Sequence, residues 1–514
     1  MKPLEARRAL RRANPLLMLV VGVLVGAMLV AIAKQPAKGN AAASGALNGG
    51  GSSTQTTTAG GVAAGTGTGT GTGTGAGTGL AGEAGTGGSG GAAAASGSSG
   101  GGGGASTASN CSGIDSSGVQ GVTKTTIKIG FALPSLGVLA AAVNIGNPQS
   151  DINAALAGMR KVGRLPVCGR DIAPDFQTFN VLDPSQSRAA CDNFAQNGDF
   201  AVISLFAFSA ASCVTQENHM FLLDQGTADT LADFAATPLL FTTDPPIDSE
   251  LRDAAYWAVK TGIVDGKTIG VYSNQNGPGG PDPASALVQQ NLVDVLAQLG
   301  HPVKDVIVSN TSLSSSTPTA ADPNDTTAVE KFKADNIQVV FPLEFSQNFM
   351  NQAEAQGYHP QWAVYSTGMA SDATTSTYPS SLDGALGLLW EQVGEVASGI
   401  PPTPQAQACF GYYTAAGNGA PPGPDTAAGQ TLREACDPVD LLVRALAAAG
   451  NDLTSSTLVA GMQTVQNVPE SYYSPQTFLP AKHWGASQNV AVQWHASCSC
   501  WKMAGPFVPL YSQP

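Results

Sequence analysis

No Gly-x-Ser-x-Gly elbow occurs in this chain, and its five histidines, at 219, 301, 359, 483 and 495, form no local triad. With no clustered nucleophile, base and acid, a hydrolase is disfavoured and no enzyme is expected. A phosphate loop is missing as well. Gly266-Lys267-Thr268 has the ending of one, but the first glycine stands at 262 where the spacing needs 261, and the triplet precedes its strand instead of following one. Charge is scarce: Asp, Glu, Lys and Arg make up 12% of the 514 residues. Beyond residue 33 there are 19 basic side chains against 36 acidic ones, a formal net charge of −17, which disfavours nucleic acid as a partner. The remaining polarity comes from neutral Ser, Thr, Asn and Gln, as suits solubility outside a cell. No cofactor motif is present.

Lys2, Arg7, Arg8, Arg11 and Arg12 flank an uncharged apolar run from Leu16 to Ala33, followed by Lys34. Basic residues before a run just long enough to span a bilayer keep the amino terminus in the cytoplasm and export the rest. Residues 1–34 therefore read as an uncleaved signal-anchor, the run exceeding the usual signal-peptide core, or as a signal peptide cleaved after Ala31-Ile32-Ala33. Either way the folded part is extracytoplasmic: single-pass at the cell membrane, or secreted after cleavage. No cysteine follows the apolar run, so a lipid anchor is disfavoured. Residues 35–120 are almost entirely Gly, Ala, Ser and Thr, with a Gly-Thr alternation from Gly65 to Gly75. Such a stretch has no apolar face to bury and reads as a disordered linker with a span of about 45 to 50 Å.

All eight cysteines, at 111, 168, 191, 213, 409, 436, 498 and 500, lie beyond the apolar run, where an oxidising compartment lets them pair. Local layout favours Cys191 with Cys213, then Cys409 with Cys436; the pairing of the other four stays open. His495, Cys498 and Cys500, with His483, invite comparison with a metal site. The His-x-x-Cys-x-Cys spacing fits no zinc pattern, and on an extended segment His495 points away from both cysteines, so disulfide or packing use is favoured and no metal is expected.

The folded part opens on Val122 to Gly137, where Ile127, Ile129 and Phe131 mark a strand and Pro134 stops it. Residues 121–514 are too many for one ordinary core and about right for two lobes with a cleft between them. The periodicity predicts helix at 148–162, strand at 172–179, helix from Asp183-Pro184 onward, a doubly covered strand at 200–206, a short strand at 238–242 and helix at 249–261. The pattern then starts again, with strands at 267–273, 303–308, 337–343, 362–365 and 385–390 and helices at 283–299, 326–334 and 345–355. Three more helices (409–415, 431–449, 455–462) and an extended tail at 490–494 follow. Strands alternating with helices imply an α/β fold with parallel sheets, whose ligands bind at the carboxyl ends of the strands.

With two such lobes behind an export segment, and the opening Gly121-Val-Thr-Lys-Thr-Thr-Ile-Lys-Ile-Gly-Phe, the chain resembles the type I periplasmic binding proteins, and among them the branched-chain amino acid (Leu/Ile/Val) binding proteins of ABC importers. Asp183-Pro184 with Cys191 and Cys213 resembles the family's disulfide-bearing segment, and the late Cys-Ser-Cys-Trp resembles actinobacterial members. The resemblance implies two Rossmann-like lobes joined by a three-stranded hinge, with crossings near 245, 390 and 470. Lobe one is then about 121–245 and 391–470, and lobe two about 246–390 and 471–514.

It further implies that lobe one holds a carboxylate through Ser135, the Ser209 to Ser212 turn, Gln225 and Thr227, and that lobe two contributes Asn274, Glu344, Phe345 and Thr367. For Ser212, helix capping stands beside ligand contact, and the two are compatible. Where amino acid binders of this family place an acidic residue for the ligand's ammonium, this chain has Thr367, and Asn-Gln-Asn-Gly replaces the tyrosine expected after strand 267–273. A buried ammonium without a carboxylate is costly, which leaves amides, carboxylates and aromatic acids open beside amino acids. The function so implied is closure of two lobes on a small polar solute for delivery to an ABC permease. The alternative is a membrane-tethered sensor or non-transport binding module on the same fold.

Overall fold

Strand β1 (Thr126–Ser135) sits inside a five-stranded parallel sheet. Ile127, Ile129, Phe131 and Leu133 are all buried on one of its faces, and Gly130 lets the Phe194 ring lie against the other, where a Cβ would meet that ring at 2.6 Å. Its neighbours are β2 (Asp171–Asn180), β3 (Ala201–Ser204), β4 (Phe221–Asp224) and β5 (Leu240–Thr242), in the order β2-β1-β3-β4-β5. The computed structural model describes residues 111, 118–135, 146–181, 183–206, 208–226, 229–274, 284–309, 323–343, 346–365 and 382–511. The apolar run Leu16–Ala33, nearly all of the Gly/Ala/Ser/Thr-rich linker, and Thr227, Glu344, Phe345 and Thr367 lie outside these residues. No helix among the described residues is long and apolar enough to cross a membrane.

Two helices connect the first strands. Helix α1 (Pro148–Lys161) starts where the Asn147 side chain accepts from the Ser150 N–H and buries Ile152, Leu156 and Met159. Helix α2 (Pro184–Asn197) is capped by Asp183 and buries Cys191 and Phe194. The small-residue stretch after β3 leads into a short helical segment from Ala211, whose last five residues, Cys213–Glu217, form a π turn; Cys213 is bonded to Cys191. Two further elements follow that periodicity does not reveal: β4, four residues long, and a six-residue helix α3 (Leu231–Ala236) held by a Thr230/Asp233 capping box.

The second sheet has the order β12-β11-β10-β9-β8-β6-β7, with β13 paired to β11. Its strands β6 (Ile269–Asn274), β7 (Val303–Ser309), β8 (Val339–Pro342), β9 (Gln361–Tyr365) and β10 (Leu386–Leu389) are parallel. The tail strands β11 (Gln488–His495), β12 (Cys500–Met503) and β13 (Val508–Pro509) are antiparallel additions, so the sheet is mixed. Helix α4 (Ile247–Lys260) and the segments α5 (Ala284–Val288), a π turn at Gln289–Val293 and α6 (Asp294–Gln298) pack on one face through Leu251, Trp257, Leu292 and Leu296. Helices α7 (Pro323–Ala334) and α8 (Gln347–Ala355) cover the other through Val329, Phe332, Phe349 and Met350.

Helices α9 (Pro404–Ala416), α10 (Ala427–Ala449) and α11 (Ser455–Met462) then return to the first sheet and share its core. The chain thus passes between the two sheets three times. Cys191–Cys213 and Cys409–Cys436 are both bonded, as expected, and Cys111–Cys168 and Cys498–Cys500 complete the set. The sulfurs of Cys498 and Cys500 therefore offer no thiolate to a metal.

Helices α1 and α9 meet at Gly158, where an added Cβ would come within 2.3 Å of the Tyr412 carbonyl oxygen. Gly158→Ala should therefore cost about 1–3 kcal/mol through overpacking, despite alanine's better helix propensity, and urea denaturation of the two proteins reads the difference.

Candidate functional site

In a parallel sheet all carboxyl ends lie on one edge, and here β1 ends at Ser135, β3 at Ser204, β4 at Asp224 and β5 at Thr242. The first crossing leaves directly from β5, and the second leaves from β10 of the other sheet. The third, from Val468 to Ser487, runs between them. It receives the Thr242 N–H on the His483 carbonyl at 3.1 Å, and Ala486 donates to the Thr243 carbonyl at 3.1 Å. On its other side Ser474 donates to the Trp390 carbonyl at 2.7 Å, and Gln392 donates to the Tyr472 carbonyl at 2.6 Å. The carboxyl edges of both parallel sheets therefore border one hydrogen-bonded bundle of three crossings.

Helix α10 pins this bundle. Fully buried Asp437 accepts from the backbone N–H groups of Ser471 (2.9 Å), Tyr472 (2.7 Å) and Tyr473 (3.3 Å), and from the Ser471 hydroxyl. One turn earlier, fully buried Arg433 pairs with Glu395 of the second crossing, donates to the Ser471 carbonyl at 3.1 Å and lies over the Tyr472 ring at 5.4 Å. Pro438 has no N–H to give the Glu434 carbonyl four residues back, and the Gln225 side-chain amide fills that place at 2.7 Å. The end of β4 is thereby tied to α10.

The residues expected to meet a ligand fall as follows. Ser135 is exposed at the end of β1, opposite Asn180, and Ser209 and Ser212 are exposed after β3. Ser212 precedes the π turn without making a side-chain capping bond, so the capping role weighed for it is not realised. Gln225 is buried, its nitrogen committed to Glu434. These four share the carboxyl edge of the first sheet. Asn274 ends β6 on the corresponding edge of the second, opposite Ser309.

Sequence reasoning did not single out two buried acids on the first edge. Asp224 accepts from the Phe208 N–H through Oδ2 at 3.2 Å, while its Oδ1 and Oδ2 of Asp229 receive no donor among the described residues. Burial, reinforced by the charge of Asp229, pushes the Asp224 carboxyl well above the usual range; burial, with the charge of Asp233, pushes Asp229 up to about 7. The available signal was an aspartate closing the short apolar run Phe221-Leu-Leu. Burial likewise raises Glu395, Glu434, Asp437 and Glu470 around the crossings. Lys482, whose ammonium donates to the backbone carbonyls of Thr477, Trp484 (2.6 Å) and Gly485, is pushed down by burial to about 7.

A sequence model of the family described as "Periplasmic binding protein" matches residues 126–497. No curated protein matches the sequence. Among solved structures, a solute-binding protein of an ABC transporter from Rhodopseudomonas palustris BisB5, in complex with 3,4-dihydroxybenzoic acid, is similar at 14% identity and a TM-score of 0.57, covering 76% of this chain and 99% of that one. A fatty acid ABC transporter substrate-binding protein from Thermomonospora curvata is similar at 16% identity and TM-score 0.57, covering 78% and 97%. A branched-chain amino acid ABC transporter protein from Thermus thermophilus with bound valine is similar at 12% identity and TM-score 0.56, covering 75% and 98%. At these identities the likeness is one of fold.

Two outcomes follow from this geometry. Asp437→Ala strips three buried N–H groups of their acceptor and should cost about 3–5 kcal/mol in urea denaturation. The second concerns pH. Asp151 (about 6, by burial), Asp199 (about 7, by burial and then the charge of Asp175) and Asp229 hold protons when folded that the unfolded chain has released. Stability from these groups is present near pH 4 and lost as pH rises through about 7. His483, lowered by burial, opposes this below its usual value. The melting temperature should rise on going from pH 7.5 to 5.5, as calorimetry would show; a falling one would mean these acids ionise without penalty.

Proposed function

The chain belongs to the periplasmic binding protein family, a family of binding proteins and not of enzymes, and we propose that it closes two lobes on a small polar solute for ABC-type import from outside the cytoplasm. The observation that carries this reading is the topology: two α/β units whose carboxyl edges border one bundle of three crossings, the natural place for a hinge. The crossings are continuous with both sheets through β5 and β10, so a change of angle between the units would open or close the space between their edges.

On this reading Ser135, Ser209, Ser212 and Thr227 hold the solute's acceptor end, while Asn274, Glu344, Phe345 and Thr367 complete the site from lobe two. Gln225 is tied to α10 through its nitrogen, and its Oε1, which receives no donor among the described residues, is the atom left for the solute. The Asp224 Oδ1 and Asp229 Oδ2, which receive no donor among the described residues, favour a solute that brings donors of its own, an amino acid or a related amide. They supply the acidic character that Thr367 lacks. Neighbours of the same fold are described with valine and with a dihydroxybenzoate, so the fold alone does not choose, and the buried acids are what tip the choice toward a donor-bearing solute. The second reading, a membrane-tethered sensor on this fold, is favoured by the long linker at 35–120.

A thermal-shift screen against amino acids, amides, short carboxylates and aromatic acids tests the class of solute; a ligand at 100 times its dissociation constant adds about 2.7 kcal/mol of stability. A hit confined to aromatic acids would remove the role given to the two aspartates. For an ammonium-bearing hit, Asp229→Asn should weaken binding by about 1.5–3 kcal/mol. Because Asp229 must lose its proton to face a cation, the parent's affinity should fall by up to about tenfold per pH unit below 7, and the Asn variant's should not. Isothermal calorimetry at pH 6 and 8 reads both.

A further inference from the structure

One of the four disulfides stands apart from the others. Cys498–Cys500 spans a sequence separation of 2, against 57, 22 and 27 for Cys111–Cys168, Cys191–Cys213 and Cys409–Cys436. The stabilisation a cross-link lends grows with the loop it closes, so this bridge restrains the unfolded chain least. Cys191, Cys213, Cys409 and Cys436 are no more than 2% exposed, whereas Cys498 is exposed between exposed Ser497 and Ser499 on the turn joining β11 to β12. Cys111–Cys168 also reaches the surface, but it closes the longest loop.

The turn is held without the bridge. Strands β11 and β12 stay in register out to His495 opposite Cys500. Cys498 donates its N–H to the His495 carbonyl at 3.3 Å, Ser499 donates to the Ala496 carbonyl at 3.3 Å, and Ala496 donates to Asp383 Oδ1 at 2.9 Å. Beneath it Trp494 and Trp501 pack edge to face at 5.4 Å.

A bridge that contributes least to the fold, on a turn that closes without it, and with an exposed sulfur, has the character of a reactive disulfide. We propose that Cys498–Cys500 is a thiol–disulfide exchange site that takes electrons from a dithiol partner. A thiolate of the partner attacks the exposed Cys498 sulfur; the S–S bond breaks and its electron pair leaves on the Cys500 sulfur, which takes a proton from water. The partner's second thiolate then attacks the partner sulfur of the mixed disulfide and expels Cys498 as a thiolate, protonated in turn. The bridge has gained two electrons and two protons, and the dithiol has become a disulfide. A monothiol stalls at the mixed disulfide, because Cys500, two residues from Cys498, displaces it and recloses the ring.

The test titrates the full chain with dithiothreitol and, separately, with glutathione, followed by alkylation and peptide mass spectrometry. Cys498 and Cys500 should be alkylated at a dithiothreitol concentration about tenfold or more below that which opens Cys191–Cys213 and Cys409–Cys436, with an unchanged melting temperature. Glutathione at equal thiol concentration should leave the bridge closed; equal reduction by both would overturn the dithiol requirement. Opening only together with the buried bridges, or after Cys111–Cys168, overturns the proposal. The double variant Cys498→Ser, Cys500→Ser should melt as the parent does, and a markedly lower melting temperature would make the bridge structural instead.

Discussion

The interaction on which the arrangement depends is the Asp437 carboxylate inside helix α10, which gathers the backbone N–H groups of Ser471, Tyr472 and Tyr473. A chain that passes between two sheets must carry its backbone polar groups through the interior, and each needs a partner. The third crossing finds partners on both sides in the other two, but the residues 471–473 that face α10 find theirs in a side chain. Burial pushes the Asp437 carboxyl upward; the donors converging on it are what make a carboxylate tolerable there.

Arg433 and Pro438 extend the same device. Arg433 neutralises Glu395 of the second crossing while bonding the Ser471 carbonyl, so one turn of helix holds two crossings. Pro438 leaves the Glu434 carbonyl without its helical donor, and Gln225 supplies one from the end of β4. The helix that belongs to the first core thus fixes both the crossings and a strand end on the candidate site. Replacing a hydrophobic contact by such a polar network is expensive unless every member is satisfied, and its cost is consistent with the several raised carboxyls around it.

Much of the fold was legible because it rests on local pattern. Ile127, Ile129 and Phe131 marked β1, Asp183-Pro184 marked the start of α2, and the repeated alternation of strand and helix marked the parallel strands of both sheets. Strand β4 was not legible: its four residues, Phe221–Asp224, two positions after His219 in a left-handed backbone conformation, are too few for a period to show. The tail strand near 490 was visible, but not its direction. It enters the sheet from a crossing instead of from a helix on the same sheet, and so runs antiparallel to β10. At the candidate site, the hydroxyl residues at strand ends could be named from their position in the pattern. For Gln225 the sequence did not reveal that its nitrogen answers a carbonyl 209 residues away.

The sequence by itself determined the α/β class, the absence of catalytic motifs and two of the four disulfides, because each of these follows from composition or from residues near one another in the chain. Only the tertiary structure decided which acids are buried together, that a proline in α10 recruits a glutamine from β4, and that Cys498 bonds to Cys500 on an exposed turn. These depend on distances between residues far apart in sequence, or on solvent exposure, and neither burial nor a missing donor has a signature in the order of residues alone.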